Sequence, residues 1–211
     1  MTEQQKQHLK DLDHSIVWHP FTQMQDYVKE NPLIITKGDG VYLEDIDGNR
    51  YIDGYASVWC NVHGHQVPQI DQAIKEQLDQ IAHSTFLGAS NIPAIQLAEK
   101  LVTCTPIGLN KVFYSDNGAT AVEIALKMAF QYWQQCDKPR PEKNTFLHLT
   151  ESYHGDTVGS ISVGGIALFH QIYSPLLFPT TAVPVPHPYR CDHCNGSCNK
   201  ACFDTLEDTL V

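Results

Sequence analysis

Short runs of apolar residues alternate with turn signals between residues 33 and 55. The sequence there reads LIITKGDGVYLEDIDGNRYIDGY, and it contains Gly38-Asp39-Gly40 and Asp47-Gly48-Asn49. Clusters of Gly, Asp and Asn between short β-type runs are typical of hairpins. This part of the chain is therefore predicted to form a small antiparallel meander.

Beyond about residue 60 the apolar residues recur at helical spacing instead. The pattern predicts helices over 67–81, 91–102 and 119–133, and short buried strands at 111–115 and 145–149. Strands that alternate with helices indicate a parallel sheet with crossover connections. The fold class is therefore predicted to be α/β, with a meander before the α/β part.

Two side-chain features refine the predicted helices. Asn91 stands where it would cap the helix 91–102. Glu123 and Lys127 are four residues apart and are expected to pair on the solvent side of the helix 119–133.

Composition and charge narrow the class of protein. The chain has 211 residues, of which 42% are hydrophobic and 18% charged, as is ordinary for a globular protein. Its formal net charge is 14 − 24 = −10, which argues against a nucleic-acid or anionic-membrane partner. Neither a signal peptide nor a membrane span is recognisable, so a soluble, cytoplasmic protein is expected.

The turn Asp116-Asn117-Gly118 lies between a predicted strand and a predicted helix. Ligands bind at such turns in parallel sheets, and a helix N-terminus offers free N–H groups and a positive dipole end. Gly118 lets the backbone approach a ligand closely, and Ala119 adds little bulk. The turn is therefore a candidate seat for a phosphate group. The alternative is an ordinary turn and helix cap.

The second candidate is the segment ESYHGDT at 151–157, which also follows a predicted strand. Tyr153 would then emerge at the same sheet edge as Gly118, where an aromatic ring can stack on a flat heterocycle. The alternative is a core tyrosine beside a helix cap. A phosphate seat with an aromatic ring beside it suggests pyridoxal phosphate as cofactor.

Four motifs together resemble a known family. FYSDNGATAVEIALKMAFQYW and YHGDT resemble the fold-type I, class III aminotransferases. VWHPFTQM at 17–24 and VWCNVHGH at 58–65 narrow the resemblance to the branch that acts in biotin synthesis. The similarity runs from about residue 14 to residue 190.

The resemblance implies roles for individual residues. Gly118 and Ala119 would hold the cofactor phosphate through their N–H groups. Tyr153 would stack on the pyridine ring and border the substrate, while His154 and Asp156 would shape the same loop.

The resemblance also implies substrates and a partner. Phe21, Val58 and Trp59 would line the tunnel for a small keto acid, and the segment 83–91 would approach the cofactor of the partner subunit in a homodimer. Many members that use S-adenosylmethionine as amino donor have Tyr where this chain has Phe21, and a Trp-Trp pair where it has Val58-Trp59. The amino donor is therefore open between S-adenosylmethionine and lysine.

By the same resemblance, residues 1–58 belong to a small domain and residues 59–211 form the first part of the large, mainly parallel α/β/α domain that binds the cofactor. The lysine that anchors the cofactor and the carboxylate at its pyridine nitrogen would both lie beyond the equivalent of Val211. Lys111, Lys127 and Lys143 flank strands or face water in the predicted elements. The chain is therefore expected to be the N-terminal half of an enzyme, without a catalytic residue and inactive alone.

Seven cysteines divide into two groups. Cys60, Cys104 and Cys136 stand singly in apolar or helical surroundings and are expected to be buried thiols. The other four follow the spacing C-x2-C-x3-C-x3-C and could hold zinc; these are Cys191, Cys194, Cys198 and Cys202. The family requires no metal, and the alternative is a cysteine-rich surface insertion without one.

Two other functions are compatible with these motifs. One is a class III aminotransferase that acts on an ω-amino acid. The other is a non-catalytic module in which the cysteines bind a metal and the Gly118 turn binds some other phosphate.

Overall fold

The chain folds into two compact units in the computed structural model, which describes residues 1–187, 189, 191, 194 and 201–210. The first unit is Met1–Ile95 and the second is Gln96–Val211. In the described part of the chain, no helix is both long and apolar enough to span a membrane.

The first unit combines helices with a small sheet. Its helices are α1 (Glu3–Ile16), α2 (Met24–Tyr27), the single turn α3 (Ala56–Trp59) and α4 (Pro68–Gln80); α5 (Ile92–Cys104) begins here and continues into the second unit. The helices α4 and α5 confirm two of the three helical predictions. The cap of α5 is also confirmed, because Asn91 Oδ1 accepts from the N–H of Ala94 at 3.1 Å.

The sheet of the first unit is the predicted antiparallel meander. It consists of β1 (Ile35–Asp39), β2 (Tyr42–Asp45) and β3 (Arg50–Ile52), in the order β1-β2-β3. Both pairs are antiparallel, with Gly38 opposite Leu43 and Tyr42 opposite Ile52.

A buried carboxylate holds the turn between β2 and β3. Asp45 accepts hydrogen bonds from the N–H of Asp47 at 2.9 Å, from the N–H and Nδ2 of Asn49 at 2.8 and 2.9 Å, and from Tyr51 Oη at 2.8 Å. These bonds favour the ionised form, and those from Asn49 contribute most to lowering the pKa of Asp45 to about 2.

The second unit is built around two parallel strands. Its elements are α6 (Gly118–Gln135), β4 (Phe146–Leu149), α7 (Val158–Ser162), α8 (Ala167–His170), the 3-10 helix Gln171–Leu176, β5 (Thr180–Val183) and α9 (Ala201–Leu210). Phe146 pairs with Thr180 and Leu149 with Val183 in a parallel ladder. The parallel sheet, the helix at 119–133 and the strand at 145–149 are thus confirmed.

The best-buried part of the second unit is α7 with its surroundings. Ser160 is 0% exposed and Val183 1% exposed, and Ile161 and Val163 are also buried. No residue of α6 is buried, so the short helix α7 and the strand β5 carry the core of this unit.

Three expectations are wrong. Residues 111–115 do not form a strand, because a strand needs a hydrogen-bonded neighbour and the described ladder of this unit joins only β4 and β5. Glu123 does not face solvent to pair with Lys127, because its Oε1 accepts a hydrogen bond from the N–H of Gly159 at 2.8 Å.

The third wrong expectation concerns the single cysteines. Cys60 and Cys104 are exposed and Cys136 is only half-buried. Neither α3 nor α5 has a buried residue, so the apolar neighbours of Cys60 and Cys104 do not enclose these thiols.

Candidate functional site

The N-terminus of α6 presents unpaired backbone donors. Asn117 caps the helix, since its Oδ1 accepts from the N–H of Thr120 at 2.9 Å while Thr120 Oγ1 accepts from the N–H of Asn117 at 3.2 Å. The N–H groups of Gly118 and Ala119 belong to the first turn and have no partner among the described residues. Two free donors at the positive end of an 18-residue helix suit an anion.

The space beside the α-carbon of Gly118 is open. A Cβ atom placed on Gly118 would meet nothing within 4 Å. The backbone of Gly118 is therefore uncovered on the side where a side chain would stand.

A second loop packs directly against the first turn of α6. A Cβ atom on Gly155 would lie 2.4 Å from Cβ of Ala119, and Gly155 has φ +116°. Only glycine fits a contact this close in this backbone conformation. Ser160 Oγ also donates to the carbonyl oxygen of Ala119 at 3.1 Å. The loop that carries Tyr153 is therefore fixed against the phosphate seat.

Tyr153 is 48% exposed, so it is not a core tyrosine. Its Oη donates to Asp156 Oδ2 at 2.7 Å. This hydrogen bond raises the pKa of Tyr153, because it favours the protonated phenol. The ring lies nearly parallel to that of His170, with a centroid distance of 6.5 Å and an angle of 20°. The Asp156 bond and the His170 ring orient an aromatic surface that remains half open.

The remaining predicted site residues lie in the first unit. Phe21, Val58 and Trp59 have exposures of 88%, 55% and 73%. All three also have left-handed backbone conformations, with φ of 51°, 61° and 70°. The structure thus brings Gly118, Ala119 and the Tyr153 loop together in one unit, whereas Phe21, Val58 and Trp59 belong to the other.

Val58 and Trp59 lie on a run of four left-handed residues. The φ values of Ala56 and Ser57 are 52° and 48°, so all of α3 is left-handed and none of it is glycine. This conformation costs roughly 1–2 kcal/mol for each such residue. Strained backbone persists only where surrounding contacts hold it, and it is concentrated at functional sites.

The segment 83–91 is irregular and partly exposed. Leu87 is 93% exposed and Phe86 52% exposed. Asn91 ties the end of the segment to its beginning, because its Nδ2 donates to Ser84 Oγ at 3.3 Å.

The cysteine motif falls mostly outside the described residues. Cys191 is half-buried and Cys194 is buried, whereas Cys198 lies outside the described residues and Cys202 is placed only as part of α9. No group of three or more His, Cys, Asp or Glu among the described residues is arranged to hold a metal ion. The zinc alternative stays a prediction.

Two contributors to the seat are not evident from their motifs alone. Gly155 lies inside YHGDT, but its contact with Ala119 joins two distant parts of the chain. The bond from Ser160 to Ala119 spans 41 positions. The glycine in the motif is the one local signal for either of them.

Most of the chain matches one protein family. Residues 24–210 match the family model described as Aminotransferase class-III.

Curated relatives are similar over nearly the whole chain. An adenosylmethionine-8-amino-7-oxononanoate aminotransferase of Staphylococcus aureus is 55% identical over 188 residues, covering 89% of this chain and 42% of the relative. The enzyme of that name from Geobacter sulfurreducens is 47% identical over 210 residues, covering 98% of this chain and 46% of the relative. The chain thus spans less than half the length of these relatives.

Solved structures agree in fold. The enzyme of the same name from Methanocaldococcus jannaschii superposes with a TM-score of 0.83 at 47% identity, covering 96% of this chain and 44% of that chain. An (S)-enantioselective omega-transaminase from Thermomicrobium roseum superposes with a TM-score of 0.84 at 28% identity, covering 97% of this chain and 46% of that chain. The two structures are therefore nearly equally similar in fold, with TM-scores of 0.83 and 0.84, while their sequence identities to this chain are 47% and 28%.

Proposed function

Because this chain belongs to the class III aminotransferase family, we propose that the protein of which it is a part transfers an amino group to 8-amino-7-oxononanoate. The product is 7,8-diaminononanoate, an intermediate of biotin synthesis. The observation that carries the proposal is the identity of 47–55% with relatives named for this reaction. The omega-transaminase with the same fold is only 28% identical.

The cofactor of the family is pyridoxal phosphate, and the residues at the α6 seat fit it. The open N–H groups of Gly118 and Ala119 would bind the phosphate, and the half-exposed ring of Tyr153 would lie against the pyridine ring. The cofactor supplies the carbonyl group that carries the amino group from donor to acceptor. Asp156 keeps the phenol of Tyr153 oriented and protonated.

The covalent anchor of the cofactor must be a lysine. Lys111 and Lys127 are exposed, and Lys143 Nζ lies over the ring of Trp133 at 3.9 Å. None of these three lies on the loops that form the seat. We place the anchoring lysine in the part of the family sequence that this chain does not span.

The amino donor is proposed to be S-adenosylmethionine, which the names of the relatives include. Lysine stays the alternative, because Phe21 lacks the phenol and Val58 lacks the indole found in many members that use S-adenosylmethionine. A lost indole removes stacking surface for a sulfonium group. Both donors therefore belong in the assay.

We propose in addition that the protein is a cytoplasmic homodimer. The resemblance of residues 83–91 to a segment that approaches the partner subunit supports the dimer, as does the exposure of Leu87 and Phe86. Apolar side chains of this size are normally covered in an assembled enzyme. Light scattering that finds an active monomer would refute the dimer.

The test is an assay of the complete protein with pyridoxal phosphate and 8-amino-7-oxononanoate. Each donor is supplied separately, and product is followed by mass spectrometry. We expect 7,8-diaminononanoate with at least one donor, and its absence with both would refute the assignment. A parallel assay with an ω-amino acid and pyruvate tests the omega-transaminase alternative, and elemental analysis for zinc tests the non-catalytic module.

A further inference from the structure

Asp53 is a carboxylate enclosed beneath the left-handed turn α3. Its side chain is 3% exposed. It accepts hydrogen bonds from the N–H of Ser57 at 2.8 Å and from Ser57 Oγ at 2.7 Å. The bond from the Ser57 backbone contributes most to lowering the pKa of Asp53, so the carboxylate is ionised at neutral pH. Bonds to an ionised acceptor are stronger than neutral ones.

His65 is a second partner of the Asp53 carboxylate and contacts the same oxygen as Ser57 Oγ. Its Nε2 lies 2.9 Å from Asp53 Oδ2. The backbone of His65 is fixed to the meander, because its N–H donates to the Gly40 carbonyl at 2.7 Å and its carbonyl accepts from the Gly40 N–H at 3.2 Å. Its ring lies over Gly38, where a Cβ atom would come within 2.4 Å of the ring.

These contacts form a continuous connection from the sheet to the turn. The meander holds the backbone of His65. The side chain of His65 and the meander together hold Asp53, and Asp53 in turn holds Ser57. The N–H of Asp53 also donates to the Val41 carbonyl at 2.9 Å. Ser57 directly precedes Val58 and Trp59, so the connection ends beside the two residues that the family resemblance places in the substrate tunnel.

We propose that Asp53 is a positioning residue for the amino acceptor, acting through Ser57 and backed by His65. It keeps α3 left-handed and so displays the side chains of Val58 and Trp59 in the geometry that binds the acceptor. The proposal rests on the proposed function for the identity of the acceptor. It assigns Asp53 to substrate binding and to no step of the amino transfer itself.

The test compares two buried aspartates in the complete enzyme. Asp53→Asn replaces the charged hydrogen-bond acceptor beneath α3. Asp45→Asn is the matched control, because Asp45 also accepts several hydrogen bonds but holds only the β2–β3 turn. For Asp53→Asn we expect KM for 8-amino-7-oxononanoate to rise about tenfold, the equivalent of one hydrogen bond to a charged group, with kcat changed by less than about twofold. Asp45→Asn should lower the melting temperature and leave KM unchanged.

A second measurement reports on the turn without using activity. Amide hydrogen exchange at residues 56–59 should become faster in Asp53→Asn and stay unchanged in Asp45→Asn. Ser57→Ala removes the hydroxyl bond but keeps the N–H bond, so it should give a smaller KM increase, about threefold. If Asp53→Asn does not fold, Ser57→Ala decides the question.

Unchanged KM and unchanged exchange in Asp53→Asn, or an equal KM increase in Asp45→Asn, would overturn the proposal. If the enzyme does not convert 8-amino-7-oxononanoate, the proposed function fails separately. The same KM comparison is then made with the amino acceptor that the enzyme does use. Exchange at residues 56–59 still shows whether Asp53 holds the turn.

Discussion

Backbone groups and one aromatic ring have different roles at the candidate phosphate site formed by the N-terminus of α6. Gly118 and Ala119 present N–H groups, which any small residue would supply, whereas Tyr153 presents a ring that is only half covered. The phenol of Tyr153 is engaged with Asp156 and is not needed for stacking. The ring and the hydroxyl are therefore separable by substitution.

Tyr153→Ala in the complete enzyme should weaken the binding of pyridoxal phosphate about two- to tenfold, because stacking is worth roughly 0.5–1.5 kcal/mol beyond burial. Tyr153→Phe is the matched control, since it keeps the ring and loses only the bond to Asp156. Cofactor affinity can be followed by titration with absorbance detection. Equal affinities for Tyr153→Ala and the unchanged enzyme would show that Tyr153 is only a packing residue.

At the scale of elements, the β2–β3 turn depends on one ionised side chain. The folded pKa of Asp45 is about 2, below its ordinary value of 3.8. The folded state therefore binds the proton of this group less readily than the unfolded state does. The contribution of Asp45 to the stability of the folded state is present above pH 3.8 and is lost as the pH falls towards about 2.

Asp45→Asn should accordingly lower the melting temperature of the complete enzyme at neutral pH, and the difference should shrink below about pH 4. Asp39→Asn is the control, because Asp39 makes no side-chain hydrogen bond among the described residues and belongs to the same sheet. Thermal unfolding at a series of pH values measures both differences. A deficit in Asp45→Asn that stays constant in acid would contradict this account of the turn.

Local sequence patterns predict most of the helices and strands of this chain. The predictions fail where an element depends on contacts with distant parts of the chain. The spacing of Ile70, Ile74 and Leu78 and the cap Asn91 identify α4 and α5, since both signals lie within the helix concerned. The run 111–115 has as clear a local pattern for a strand, yet a strand also requires a neighbouring strand to which it can hydrogen-bond.

The residues of the candidate site also differ in how far the sequence predicts them. Gly118 and Tyr153 are recognisable because each stands in a short motif beside a helix or strand. The role of Glu123 depends on Gly159, 36 positions away. The left-handed turn α3 carries no glycine to indicate it, because Asp53 and His65 hold its conformation from outside the turn.

On the scale of the whole molecule, much apolar surface is open. Ile70, Ile74 and Leu78 on α4 are 43%, 54% and 57% exposed. In the described second unit, β4 and β5 pair only with each other, so each leaves one edge unpaired. Surfaces of this kind are normally covered by further chain or by a partner.

Residues 1–211 purified alone should therefore self-associate and should not turn over amine with pyridoxal phosphate and a donor. Size-exclusion chromatography with light scattering reports the first property, and a product assay reports the second. The complete enzyme is the control for both. A monodisperse, cooperatively melting chain that transfers amine would contradict the expectation and would mean that Lys127 or Lys143 reaches the cofactor.

The contacts that fix the Tyr153 loop to α6 also bear on the order in which the protein folds. Gly159 meets Glu123 and Ser160 meets Ala119 across only 36 and 41 positions, and β5 is complete at Val183. Contacts over short separations form early in folding. We therefore expect the turn at Gly118 and the Tyr153 loop to come together early when the complete protein refolds from denaturant.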